Sequence, residues 1–276
     1  MVLDRRHFTR LALAFAAASG LDPLQAETNA APKLQFGPPE PFSYDQLIAR
    51  ANTLAQSPYQ APPRPDPAIV AQIDYDAHGK LRYRKEAALW ADGPSPFPVT
   101  FQHVGRYFPK TVKMYQLSGQ TAREILYDPA LFLGGPDHVA AHLSPQPSAF
   151  AGFWVQEDRA KTIVEKSSGQ RKDWKAREPW VTFLGASYFR AVGELGQVGL
   201  SARAVALAPG TAQPEEFPDF TAFWFEPAKS AADPVIVHAL LDGPSLTGAY
   251  RFALHRGKGV VMEIKAHLVL RQAIDR

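Results

Sequence analysis

The amino-acid sequence predicts an all-β protein, a sandwich or barrel of many short strands preceded by a few helices. Three observations carry this. From residue 99 onward, apolar and aromatic residues alternate with polar ones in runs of four to eleven, the period of a strand with two unlike faces. Dense turn residues, among 19 glycines and 25 prolines, separate the runs. No segment repeats at a spacing of roughly 20 to 50 residues, which argues against a propeller or solenoid.

Taken in order, the chain opens on Asp4-Arg5-Arg6-His7-Phe8, then an alanine-rich apolar run from Leu11 to Leu21, then Pro23-Leu24-Gln25-Ala26. A basic start, a short apolar stretch and a small residue at the cut are the parts of a secretory signal. The adjacent Arg5 and Arg6 point to the twin-arginine export machinery, with cleavage after Ala26. A membrane-spanning helix needs about 20 apolar residues. This run is broken by Ser19, Gly20, Asp22 and Pro23, and nothing after Ala26 reaches that length. No stable membrane insertion is expected.

About 250 residues follow, enough for one large β domain over 27–276. Residues 27–42 read as a flexible terminus. Ser43 can cap a helix whose apolar stripe is Tyr44, Leu47, Ile48, Ala51, Leu54 and Ala55. Pro58 and the Pro62-Pro63-Arg64-Pro65 stretch end it, and Asp66-Pro67 starts a short second helix. Strands are expected at 99–104, 112–117, 122–127, 150–155, 181–184, 188–192, 200–207, 222–225, 235–241, 247–254 and 260–270. Residues 133–148 read as a loop, and 156–179 as a charged, solvated insertion or long hairpin. Arg256-Gly257-Lys258-Gly259 marks the clearest hairpin. A sheet ending on an unpaired strand leaves a sticky edge, so the chain is expected to be the start of a longer protein, its sandwich incomplete.

Composition narrows the chemistry. With no cysteine, thiol catalysis, zinc–thiolate sites and disulfide staples are excluded. The formal charge is +3, of which the first 26 residues, with three arginines and two aspartates, carry part. No basic stripe is clustered, so no nucleic-acid partner is expected. There is no phosphate-binding glycine loop and no dinucleotide fingerprint, and no cofactor is expected. Gly185-Ala186-Ser187-Tyr188-Phe189 lacks the second glycine of a nucleophile elbow. His138 and His142 sit four apart in a Gly/Pro-rich stretch with no helix to align them, and no metal site is assigned. Glu215 and Glu216 are read as a solvated turn, and no pair of acids earns a catalytic assignment on spacing.

Aromatics are more informative. Tyr188, Phe189, Phe217, Phe220, Phe223, Trp224, Phe225 and Tyr250 cluster in the second half, interleaved with Arg190, Arg203 and Arg251. Flat rings stack on sugar faces while Arg and Asp bond hydroxyls, a mix suited to a saccharide groove. Strand alternation requires about half of these rings to be core. Phe189, Phe223 and Phe225 are read as core; for Tyr188, Trp224 and Tyr250 groove and core stay equally open.

Several blocks resemble the periplasmic glucan biosynthesis proteins. Phe183-Leu184-Gly185-Ala186-Ser187-Tyr188-Phe189-Arg190-Ala191 is similar to a signature of that family. Gly199-Leu200-Ser201-Ala202-Arg203, Glu215 through Phe225, Ala239-Leu240-Leu241-Asp242 and Thr247-Gly248-Ala249-Tyr250 follow in the same order. Earlier pieces such as Ala88-Leu89-Trp90 and Phe150-Ala151-Gly152-Phe153 match as well.

The resemblance implies a large β-sandwich of the galactose-mutarotase-like supersandwich type, followed in the family by an immunoglobulin-like domain that has no counterpart here. It implies a periplasmic protein acting on osmoregulated glucans with a β-1,2-linked glucose backbone. Some members resemble inverting endo-β-1,2-glucanases that use aspartates as acid and base. The twin-arginine leader points to the D branch of the family. The blocks bearing the catalytic aspartates would lie beyond residue 276, so no catalytic residue is carried over. Tyr188, Arg190, Arg203, Trp224, Asp242 and Tyr250 fall in family motifs and are the candidate substrate-binding residues. The expectation is a glucan-processing protein; the alternatives are a non-catalytic glucan-binding sandwich and an inactive gene fragment.

Overall fold

Three consecutive aromatics show how the sheets are layered. In a strand, successive side chains point to opposite faces, so Phe223 and Phe225 point one way and Trp224 the other. Phe223 and Phe225 meet Phe153 of a second sheet edge-on, with ring centroids 4.9 and 4.7 Å apart. Trp224 stacks instead between Phe42 and Tyr115, at 5.2 and 5.0 Å, on the other side of its own sheet. One strand thus feeds two apolar layers.

The computed structural model describes residues 32–165, 168–185 and 187–274. The expected leader, with Arg5, Arg6 and Ala26, lies outside the described residues. The strands of the two main sheets begin with β1 (Gln35–Pro41), β2 (Val99–His103), β3 (Lys113–Ser118) and β4 (Thr121–Leu126). Then come β5 (Phe150–Val155), β6 (Val181–Leu184), β7 (Tyr188–Ala191) and β8 (Ala202–Arg203). The last are β9 (Asp219–Glu226), β10 (Val235–Asp242), β11 (Leu246–Arg256) and β12 (Val260–Leu270). A seven-stranded sheet runs β1-β4-β3-β9-β10-β11-β12, and a five-stranded sheet runs β8-β7-β6-β5-β2. Neighbours are antiparallel except β3 and β9, which pair in parallel from Ala222 opposite Lys113 to Phe225 opposite Gln116. The β4-to-β9 segment builds most of the second sheet before returning to the first, so the fold is an all-β sandwich.

Its interior is aromatic. The Phe183 ring lies 4.7 Å from Phe153, 5.3 Å from Phe189, 5.4 Å from Phe223 and 5.1 Å from Phe252. Burying one such ring contributes about 1.5–3 kcal/mol, and each favourable ring pair adds roughly 0.5–1.5 kcal/mol. On the opposite face of the seven-stranded sheet lies helix α1 (Tyr44–Ala55). Ser43 Oγ caps it by accepting from the Gln46 amide at 3.1 Å. Leu47 and Ala51 press onto Tyr115, Leu117, Trp224 and Leu240, as the helical stripe predicts. Arg271 holds the other end of α1 by donating to the Leu54 and Ser57 carbonyls.

Some elements differ from the sequence reading. Part of the expected flexible terminus is β1, which pairs with β4 along the outer edge of the sheet, with a register shift between Phe36 and Pro39. Proline has no amide to donate, so Pro38, Pro39 and Pro41 are tolerated where no strand lies beyond. Of the expected 200–207 strand only Ala202–Arg203 pairs; Leu207 makes an isolated bridge to Glu216. Within 156–179, Ile163–Val164 pairs with Arg171–Lys172 as a small hairpin. His138 bonds the Ala77 carbonyl through Nε2 and caps a short 3-10 turn through Nδ1. Among the described residues no helix is long and apolar enough to cross a membrane. On β12, Ile264 lies opposite Phe252 and therefore shares the inward face, yet Ile264 and Leu268 are each 46% exposed. The five-stranded sheet does not reach over this edge.

One buried ring ties the fold to pH. His103 is 2% exposed. Its neutral form donates from Nδ1 to the Val104 carbonyl at 2.8 Å and accepts from the Tyr127 hydroxyl at Nε2, 3.0 Å away. Burial pushes His103 down to about 4, the Val104 carbonyl opposing and nearby His78 and His138 adding to the drop. The folded value is depressed, so the contribution is whole above the unfolded value of about 6.5 and is lost as pH falls through about 4. Unfolding by urea is expected to show stability falling by about 2 kcal/mol between about pH 7 and about pH 5, with His103→Gln removing most of that slope. An equal slope in the variant would contradict this account.

Candidate functional site

The phenylalanines that fill the sandwich determine what faces outward on the five-stranded sheet. With Phe101, Phe153, Phe183 and Phe189 inward, their neighbours must point out. The strand registers assemble these neighbours into two rows. Gln102 lies opposite Gly152, Gly152 opposite Leu184, Leu184 opposite Tyr188, and Tyr188 opposite Arg203. Alongside, Thr100 faces Trp154, Trp154 faces Thr182, and Thr182 faces Arg190. Gly185, at φ +66°, turns the chain so that β7 returns beside β6.

Above these rows is a cavity of about 540 Å³. Its floor includes Gln102, Trp154, Thr182, Tyr188 and Arg190, and its rim is Tyr107–Lys110 with Arg203. The floor is shaped by a missing side chain. A methyl at Gly152 would lie 2.1 Å from the Phe183 carbonyl oxygen. Gln102 instead reaches in from the neighbouring strand, its amide donating to the Phe153 and Phe183 carbonyls at 3.1 and 2.9 Å. That bonding holds its side chain flat on the floor.

The rim is held from both sides. Phe108 packs edge-on against His78 at 4.7 Å. Lys110 Nζ donates to Asp219 Oδ2 at 2.5 Å, a pair linking the rim to the start of β9. Burial pushes the Asp219 carboxyl above its usual range, and Lys110 works in the opposite direction. On the far side, the Arg203 guanidinium lies 4.5 Å from the Phe217 ring centre, and the Ser201 hydroxyl donates to the Tyr188 hydroxyl at 2.9 Å. Chemically, the cavity offers flat rings for stacking and a set of hydroxyl, amide and guanidinium groups for hydrogen bonds. None of its lining residues is an aspartate, glutamate or histidine.

The six residues singled out in the sequence divide into two sets. Tyr188, Arg190 and Arg203 line the cavity together. Trp224 lies beneath α1 on the other side of the molecule. Tyr250 lies in the sandwich interior, where burial raises its hydroxyl to about 12 and the hydroxyl donates to the Ala204 carbonyl at 3.3 Å. Asp242 closes β10 and accepts from Arg271. Gln102, Lys110, Trp154 and Thr182 were not singled out. A usable signal existed for Trp154: it follows Phe153 in a period-two run, so a core Phe153 forces Trp154 outward. Lys110 and Gln102 carry no such local signal.

The molecule is a two-sheet β-sandwich with an open cavity on the outer face of its five-stranded sheet, and comparison with known sequences places it in a family. The family model described as "Periplasmic glucan biosynthesis protein, MdoG" matches residues 42–276. Glucans biosynthesis protein D 2 of Ralstonia nicotianae is 48% identical over 279 residues, covering 100% of this chain and 50% of that protein. Glucans biosynthesis protein D of Xanthomonas campestris pv. campestris is 40% identical over 277 residues, with 99% and 49% coverage. The same-named protein of Stenotrophomonas maltophilia is 39% identical over 278 residues, again with 99% and 49% coverage. The chain belongs to the periplasmic glucan biosynthesis family. It spans about half the length of the curated relatives it matches.

Proposed function

We propose that this chain is the glucan-holding part of a periplasmic protein that shapes the β-1,2-linked backbone of osmoregulated glucans. The observation that carries this reading is the cavity of about 540 Å³ whose floor combines Trp154 and Tyr188 with Thr182 and Arg190. Rings of this kind stack on the apolar faces of pyranose units, and the polar groups beside them bond the hydroxyls. Tyr188, Arg190 and Arg203 are the contacts carried forward from the sequence; Trp154 and Thr182 join them. Trp224, Asp242 and Tyr250 act through the scaffold in this reading.

Hydrolysis of the backbone is assigned to a longer form, because an inverting cleavage needs two carboxyl groups about 6.5–9.5 Å apart across the sugar bond and the cavity lining has none. Binding without turnover is therefore the reading for residues 27–276, and a continuation past residue 276 is proposed to cover the exposed face of β12 and complete the sandwich. Export is proposed to follow the twin-arginine route to the periplasm, with cleavage after Ala26. Changing both Arg5 and Arg6 to Lys is expected to leave the protein in the cytoplasmic fraction; unchanged recovery from the periplasm would refute that route.

The binding claim is tested by titrating the purified chain with short linear β-1,2-glucans and following tryptophan fluorescence. A saturable change is expected, lost in Trp154→Phe, with the dissociation constant raised about tenfold in Tyr188→Ala. No reducing ends should be released in the same samples. An unchanged signal at millimolar sugar would refute glucan binding, and release of reducing ends by this chain would refute the assignment of the acids elsewhere.

A further inference from the structure

We infer that the cavity on the outer face of the five-stranded sheet selects an anionic saccharide, a sugar bearing a phosphate or carboxylate group, and that Arg190 and Arg203 are the residues that select it. This deepens the proposed glucan-holding reading and rests on it. Around the fold, several buried or half-buried cations have carboxylate partners, while Arg159 and Lys85 donate to backbone carbonyls instead. Lys110 pairs with Asp219, Arg271 with Asp242, and both Arg177 and Arg256 with Glu157. Arg190 and Arg203 have no carboxylate within ion-pair distance among the described residues.

Their placement makes this more than a surface accident. Arg203 lies opposite Tyr188 in the β7–β8 pairing, and Arg190 is two residues further along β7 on the same face. Such diagonal neighbours are about 7–8 Å apart, so two like charges converge on one cavity wall without an intervening acid. The Arg190 Nε is buried and has no hydrogen-bond partner. A buried donor left unpaired is costly, and a guanidinium is a planar fork matched to the paired oxygens of carboxylate or phosphate.

The remaining groups fit the same chemistry. Lys110 is already neutralised by Asp219 at 2.5 Å, and the Gln102 amide hydrogens are spent on two carbonyls. The acceptors left for a neutral sugar are few: Gln102 Oε1 and the hydroxyls of Thr182 and Tyr188, the last already accepting from Ser201. The net excess in this cavity is of charged donors, and what answers charged donors is an anion. Trp154 and Tyr188 supply the stacking surface that makes the ligand a sugar rather than a free ion.

The test is a comparative titration at low ionic strength, where exposed charges are least screened. Glucose, glucose 6-phosphate, glucuronate and inorganic phosphate are each added to the full chain, with calorimetry as readout. Glucose 6-phosphate and glucuronate are expected to bind roughly tenfold or more tightly than glucose, with the advantage shrinking as salt is added. Arg190→Gln and Arg203→Gln should each erase most of that advantage, weakening the two anionic sugars by a much larger factor than glucose, and Arg203→Lys should retain part of it. Arg203 is exposed, so its variants keep the test available if Arg190→Gln fails to fold. Equal affinity for glucose and its anionic counterparts would overturn this inference and leave the saccharide reading intact. Inorganic phosphate binding as tightly as glucose 6-phosphate, with the same arginine dependence, would uphold the anion site and overturn the saccharide reading. No binding of any of the four would overturn both.

Discussion

The contact on which the rest of this structure depends is the aromatic layer between the two sheets. Phe153 and Phe183 stack at 4.7 Å from one sheet, and Phe223, Phe225 and Phe252 meet them edge-on from the other. Strand geometry has a period of two, so a one-residue slip would turn every one of these rings to the opposite face of its sheet. Locking Phe153, Phe183 and Phe189 inward leaves Trp154, Thr182, Tyr188 and Arg190 no direction but outward. The cavity is the reverse side of the core, and its floor is as rigid as the packing behind it. The charged pair Lys110–Asp219 then fixes the rim to the seven-stranded sheet.

What could be read in the sequence follows this division. Alternation within one strand is local, so the core roles of Phe189, Phe223 and Phe225 were legible, as was the α1 stripe beneath which Trp224 lies. Which polar residues share a wall is set by register between strands far apart in the chain. Gln102, Trp154, Thr182, Tyr188 and Arg203 come from five strands, and no spacing announces their meeting. Trp224, Asp242 and Tyr250 show the converse. Each sits in a family-like block near Arg203, but each is oriented by a remote partner: Phe42 and Tyr115 for Trp224, Arg271 for Asp242, Ala204 for Tyr250. β1 was hidden because its prolines argue against a strand everywhere except at an edge.

The two faces of the seven-stranded sheet have different dependencies. Its inner face is covered by the second sheet as far as β11, and its outer face by α1, which Arg271 clamps through the Leu54 and Ser57 carbonyls and Asp242. Beyond β11 the cover thins: Val260 and Met262 still pack partly against the core, while the inward-facing Ile264 and Leu268 are exposed. The cavity lies on the outer face of the five-stranded sheet, so its geometry rests on the ring packing behind that sheet.

The central claim is that the cavity floor and the sandwich core form one cooperative unit, and native-state amide hydrogen exchange tests it most directly. The amides of Val181–Leu184 and Phe189–Ala191 should exchange only through global unfolding, with the same protection as those of Phe223–Glu226 and Val235–Leu241. Fast exchange across β6 and β7 while β9 and β10 stay protected would show a floor that opens on its own, and would contradict the account.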